Sequence, residues 1–136
     1  MWTDFAYALV QVLHNFGAAL VVGSPAAAWW LARDNFPVQV KLARLMALAW
    51  AVQAISATGF ALTSFLSRGQ LPEIGGVALA ALGIKVICAA TGFVLAAAYP
   101  VLAKNWPWEK RAILWKILFV LAATALTAAA FLRWFA

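Results

Sequence analysis

Four apolar runs, each long enough to cross a lipid bilayer, constrain this chain more than anything else in it. They cover roughly 5–32, 42–66, 75–103 and 112–135 of its 136 residues. A hydrocarbon core of about 30 Å needs about 20 apolar residues in helical form. Only 10% of the residues are charged, against about a quarter in a soluble domain. That leaves too little polar surface for a water-soluble globule, and 67% hydrophobic residues exclude a disordered chain. The chain therefore reads as a single all-α integral membrane domain, residues 1–136. The first run is too long for a signal-peptide core and has no basic residues ahead of it, so it is expected to be retained as a span.

The connections carry turn chemistry. The first holds Arg33-Asp34-Asn35 and Pro37, the second Arg68-Gly69, Pro72 and Gly75-Gly76, the third Lys104-Asn105-Trp106-Pro107-Trp108-Glu109. Proline cannot donate a backbone hydrogen bond and restricts the residue before it, so each marks a helix boundary. Pro107 with Glu109 close behind suits a helix N-terminus. Short connections force neighbouring helices antiparallel, which predicts an up-down four-transmembrane-helix bundle.

A net charge of +6 suggests nucleic acid only until position is considered. The basic residues cluster at span ends, where anionic lipid headgroups are the natural partner. Arg33, Lys41, Arg44, Lys104, Lys110 and Arg111 flank the first and third connections, against Arg68 and Arg133 at the other end. The positive-inside rule then puts those two connections in the cytoplasm and both termini outside. Lys116, one turn into the last span, is expected to snorkel to the same headgroups. Trp2 and Trp134 would mark the outer interface, and Trp29, Trp30, Trp106, Trp108 and Trp115 the inner one, with Trp50 alone well inside. Frequent alanine and the glycines within the spans predict close helix packing. Pro25, inside an over-long first run, predicts a kink or tilt.

The polar residues inside the spans fall at one level. Gln11, His14 and Asn15 are spaced to share one helix face. Gln53, Ser56 and Thr58 lie in the outer half of the second span, Lys85 about ten residues into the third, and Thr124 and Thr127 in the outer half of the fourth. The inner half is nearly all Ala, Leu, Val and aromatic, so it predicts a polar pocket outside an apolar plug. Serine and threonine in such helices commonly bond back to their own carbonyls. Gln11, Asn15 and Gln53 could serve as interhelical glue. An ionisable group at mid-depth is costly unless paired or hydrated, and no acidic residue lies within a span, so His14 and Lys85 are the functional candidates. The ligand pocket is expected from His14, Lys85, Gln11, Asn15 and Gln53, with His14 as the metal-ligating candidate.

Several chemistries fail on the residue count. A bis-histidine haem needs two ligands and the chain has one His, so haem b would have to be shared with a partner or second copy. Copper favours thiolate, thioether and imidazole, but Cys88 and Met46 are not at the level of His14, and no Cys-x-x-Cys or His-x-x-His spacing occurs. No catalytic triad, phosphate loop or paired carboxylates are present, so no catalytic residues are assigned.

Leu13-His14-Asn15-Phe16-Gly17-Ala18-Ala19-Leu20-Val21-Val22-Gly23 resembles the first-helix pattern of the CopD-like family of bacterial inner-membrane proteins, a Leu-His pair followed nine residues later by glycine. Leu82-Gly83-Ile84-Lys85-Val86 resembles the later helix of that family, opening an apolar run that ends at Lys104-Asn105, and Thr58-Gly59 also fits. The resemblance covers most of the chain. It implies an inner-membrane, multi-pass protein linked to copper uptake or resistance, with His14 and Lys85 at the marked positions; in that membrane the charge-derived orientation makes both termini periplasmic. The chain departs from the pattern at Val22, where tryptophan is frequent, and lacks additional Met or His ligands. The related HemJ-type protoporphyrinogen oxidases share the His and the Lys, but their Pro-Arg signature is here Gly23-Ser24-Pro25-Ala26. The expected function is a non-enzymatic CopD-like bundle that binds copper or a small redox-related ligand. The alternatives are an accessory subunit of a haem- or quinone-linked membrane complex, and a HemJ-like oxidase. Other membrane subunits or further copies of the chain are the expected protein partners.

Overall fold

The computed structural model describes residues 1–70 and 73–135, so the turn expected at Pro72 lies outside the described residues. Four α-helices account for nearly all of it: α1 Trp2–Trp30, α2 Phe36–Arg68, α3 Gly76–Leu102 and α4 Trp108–Phe135. Each is long and apolar enough to cross a membrane, and the protein is an all-α four-helix membrane bundle. Each helix packs on its neighbours in sequence and α1 closes the ring against α4, while α1 and α3 face each other across a diagonal without backbone contact. One end of the bundle carries both termini and the α2–α3 connection. The other carries the α1–α2 and α3–α4 connections.

Packing follows a stripe of positions spaced three and four apart. On α1 it runs through Gly17, Val21, Ser24 and Ala28, on α2 through Gln39, Ala43, Met46, Trp50 and Gln53. On α3 it passes Ala78, Ala81, Cys88, Gly92, Ala96 and Tyr99, on α4 Trp115, Leu118, Ala122 and Ala125. This is the spacing that lets straight helices interdigitate at a shallow crossing angle. Small residues dominate because van der Waals contact, not apolar burial, holds helices together in lipid. The outward faces expose Leu13, Phe16, Leu48, Ile55, Ile87 and Val94, as a lipid-facing surface requires.

Helix ends explain where the sequence expectation was too short. α2 starts six residues ahead of the predicted 42, because Asn35 caps it by accepting the Val38 N–H (3.1 Å) and Pro37 occupies the first turn. Gln39, Lys41 and their neighbours are thus helical and not part of a connection. Gly69 ends α2 with a left-handed φ of 70°. At the start of α4 the Arg111 N–H reaches Pro107 O (3.1 Å), the helix start expected there. α1 continues through Pro25.

Candidate functional site

The polar level predicted near mid-depth is built around His14. Its Nδ1 lies 2.7 Å from Ser56 Oγ on α2, and its main-chain carbonyl accepts from Gln53 Nε2 at 2.6 Å. Gln53 reaches that carbonyl because Gly17, one turn along α1, has no side chain: a Cβ there would sit 2.5 Å from Gln53 Nε2. Phe60, one turn further on α2, stands edge-on against the imidazole with centroids 5.5 Å apart. Ser56 O–H also bonds back to Gln53 O at 3.1 Å. A hydroxyl has a single proton, so both Ser56 contacts are satisfied when it donates to Gln53 O and His14 Nδ1–H donates to Ser56 Oγ. That tautomer leaves Nε2 with a free lone pair.

Lys85 occupies the same packing stripe on α3, between the buried Ala81 and Cys88. Its level follows from the α2–α3 contact at Gly92, which lies against the Trp50 ring. Seven residues back along α3, and seven forward along antiparallel α2, bring Lys85 beside Ala57 and hence to the height of Ser56 and His14, about 10 Å from the Trp50 layer. The Lys85 amine is thus level with the His14 imidazole, on the helix diagonally opposite α1. Among the described residues it makes no hydrogen bond or ion pair. All four acidic residues, Asp4, Asp34, Glu73 and Glu109, are near helix ends or in connections. Both Lys85 and His14 are only partly buried, so the site is open and not sealed. It offers one nitrogen lone pair and one amine donor across the α1–α3 diagonal.

Gln11 and Asn15 do not join it. They share a face as their spacing predicts, but that face is exposed, and Gln11 Nε2 donates to Asn15 Oδ1 at 2.7 Å. Thr58 and Thr127 bond back to Ala54 O and Ala123 O on exposed helix faces. Cys88 is buried and free.

The expected apolar plug is instead a second polar cluster. Gln39, fully buried, is its hub. Its Nε2 donates to Ala32 O (2.6 Å) and Arg33 O (2.9 Å), and its Oε1 accepts from Tyr99 O–H (2.6 Å) and Arg111 Nη1 (3.0 Å). Trp115 Nε1 donates to the Tyr99 hydroxyl (2.9 Å) and Arg111 Nε to Trp106 O (3.0 Å). Two interfacial assignments are thereby corrected. Arg111 turns inward over the Phe36 ring (5.2 Å) and is not a free lipid-facing cation. Trp115 is a core residue, 0% exposed. Arg33 lies over Trp108 (5.8 Å), Lys110 over Trp106 (4.2 Å) and Lys116 over Trp29 (5.1 Å), a belt of cation–π pairs beside the exposed Lys41, Arg44 and Lys104.

No protein-family model matches the chain, and no curated protein or solved structure was found similar to it. The described residues contain no group of three His, Cys, Asp or Glu side chains that could hold a metal. The donor set does not fit a copper ion bound by this chain alone: one imidazole lone pair is available, and the described residues bring no second thiolate, thioether or imidazole to it. Haem b fits no better, since His14 is the single His.

Proposed function

We propose that this is a non-enzymatic, CopD-like integral membrane protein that holds a small redox-related ligand between α1, α2 and α3. The observation that carries the proposal is the unpaired Lys85 ammonium level with the His14 lone pair, in spans that contain no balancing carboxylate. An ionisable residue at this depth is otherwise a standing cost. The residue pair favours a ligand with oxygen acceptors for Lys85 and, in its protonated form, a hydroxyl for His14 Nε2. Copper, the metal implied by the CopD resemblance, would need donors from another chain. Gln53 and Ser56 act as positioning residues, fixing the main chain and the ring of His14.

The proposal places the protein in the bacterial inner membrane, with the cluster of Arg33, Lys41, Arg44, Lys104 and Lys110 at the cytoplasmic face and both termini periplasmic. Asn105→Cys is expected to react with a membrane-impermeant maleimide only from the cytoplasmic side of oriented vesicles. Periplasmic labelling would reverse the orientation.

The ligand is tested on protein purified from its membrane. Small molecules released by solvent are measured by mass spectrometry, copper by elemental analysis and haem by the Soret band. His14→Ala and Lys85→Met are each expected to lower retention of one organic ligand about tenfold or more, with helical circular dichroism unchanged. Retention that survives both substitutions overturns the site. Stoichiometric copper lost with His14→Ala would move the assignment to a metal, and a Soret band lost in the same way to a haem.

A further inference from the structure

We infer that the lipid-facing side of α1 is an interface between two copies of this chain, held by the carboxamides of Gln11 and Asn15. The inference does not depend on the ligand site, because His14 turns to Ser56 on α2.

The first ground is a pair of amides in hydrocarbon. α1 has 29 residues, about 43 Å of helix, and Asn15 stands close to its middle, with about 15 Å of hydrocarbon on either side. Gln11 turns to Asn15 and not to the headgroups: its Nε2 donates to Asn15 Oδ1 at 2.7 Å. Both residues are exposed, and among the described residues neither side chain makes another hydrogen bond. The pair leaves Gln11 Oε1 without a donor and the Asn15 amide N–H groups without an acceptor. Acyl chains supply neither, so lipid cannot satisfy this face as it satisfies the exposed Leu13 and Phe16. A facing helix can, and polar side chains in membrane spans bond across helices.

The second ground says which helix. The groups left over are complementary to themselves: about a two-fold axis, Asn15 Nδ2 of each copy can donate to Gln11 Oε1 of the other. The bond within α1 already brings both amide heads to one level, and two copies inserted in the same orientation hold that level at equal depth. No Asp, Glu, Lys or Arg occurs in the sequence from Phe5 to Ala32, so a parallel pair brings no like charges together there. The row from Gln11 to Asn15 continues at the same four-residue spacing through Ala19 and Gly23, both exposed. A Cβ at Gly23 would meet nothing within 4 Å, so packing within the chain does not account for that glycine. Close approach of a second helix along a row of small residues does.

The test uses the intact protein in phospholipid vesicles. Förster transfer between copies labelled at Asn105→Cys, followed as the protein is diluted with lipid, reads the dimer dissociation constant. Replacing both Gln11→Leu and Asn15→Leu is expected to weaken the dimer about tenfold. Gly23→Ile, which extends into space left open within the chain, should weaken it at least as much, with helical circular dichroism unchanged for both. In a Cys88→Ala background, Ala19→Cys is expected to form a disulfide between copies on oxidation, and Val94→Cys, on the exposed face of α3, is not. A protein that stays monomeric at every dilution, or self-association indifferent to the α1 variants, overturns the inference. So does a disulfide at Val94→Cys in place of Ala19→Cys. A photoreactive side chain at position 15 that cross-links in the native membrane to a different protein would likewise overturn it and assign the face to another subunit.

Discussion

Replacing Gln39 with leucine is expected to cost about 3 kcal/mol of stability, more than any other polar substitution in the chain. The volume is nearly conserved, so the loss is one of hydrogen bonds. Gln39 takes part in four: two donated to Ala32 O and Arg33 O, and two accepted from Tyr99 and Arg111. Interhelical bonds inside bilayers average about 0.6 kcal/mol and reach about 1.7. Bonds to charged groups are stronger, and a buried partner left unpaired adds about 1–3 kcal/mol. Tyr99→Phe removes one of those four and also the bond from Trp115 to the Tyr99 hydroxyl, and is expected to cost about half as much. Thr127→Val, which removes one exposed back-bond, should cost less than about 0.5 kcal/mol. Reversible unfolding in bicelles measures all three, and a Gln39→Leu cost no larger than that of Thr127→Val would contradict the keystone role.

Gly92→Ala should destabilise the bundle by about 2–3 kcal/mol, and a second substitution should recover much of the loss. The added Cβ would lie 2.5 Å from Trp50 Nε1, 2.6 Å from Cε2 and 2.9 Å from Cζ2. These are atoms of a rigid ring that is 3% exposed, so neither side can yield without moving α2 from α3. Trp50 Nε1 is buried with no hydrogen-bond partner among the described residues. Trp50→Phe therefore gives up packing but no hydrogen bond, at about 1–2 kcal/mol. In the double variant the smaller ring makes room for the methyl group, and its cost should fall short of the sum of the two single-variant costs by at least about 1 kcal/mol. Strict additivity would mean that Gly92 and Trp50 are not in contact.

The spans, their alternation and the shared level of His14 and Lys85 were all legible in the sequence. Hydropathy over twenty residues and turn chemistry between runs determine them with little help from tertiary context. What was missed has a common cause, the rotational phase of each helix. Pro37 alone suggests a boundary, whereas a proline in the first turn, behind a capping Asn35, starts a helix and brings Gln39 into it. Trp115 and Arg111 looked interfacial from their depth alone. Counting back in threes and fours from Leu118 puts both on the inward stripe, where Trp115 is buried and Arg111 partly so. The same count, from Gly17 and Val21, places His14 inward, while the spacing of Gln11 and Asn15 shows that they share a face without showing which way it points. Where a short polar side chain finds its partner depends on the neighbouring helix, so the bond from Gln53 to the His14 carbonyl needed the fold.

The chain contains a single histidine, which allows one residue to report on the pairing of His14 with Lys85. Nitrogen-15 NMR of histidine-labelled protein in bilayers reads the tautomer and the environment of both ring nitrogens. The Nδ1-protonated form is expected, with Nδ1 shifted by Ser56→Ala and Nε2 shifted by Lys85→Met. An imidazole spectrum indifferent to Lys85→Met would mean that the two groups do not form one site.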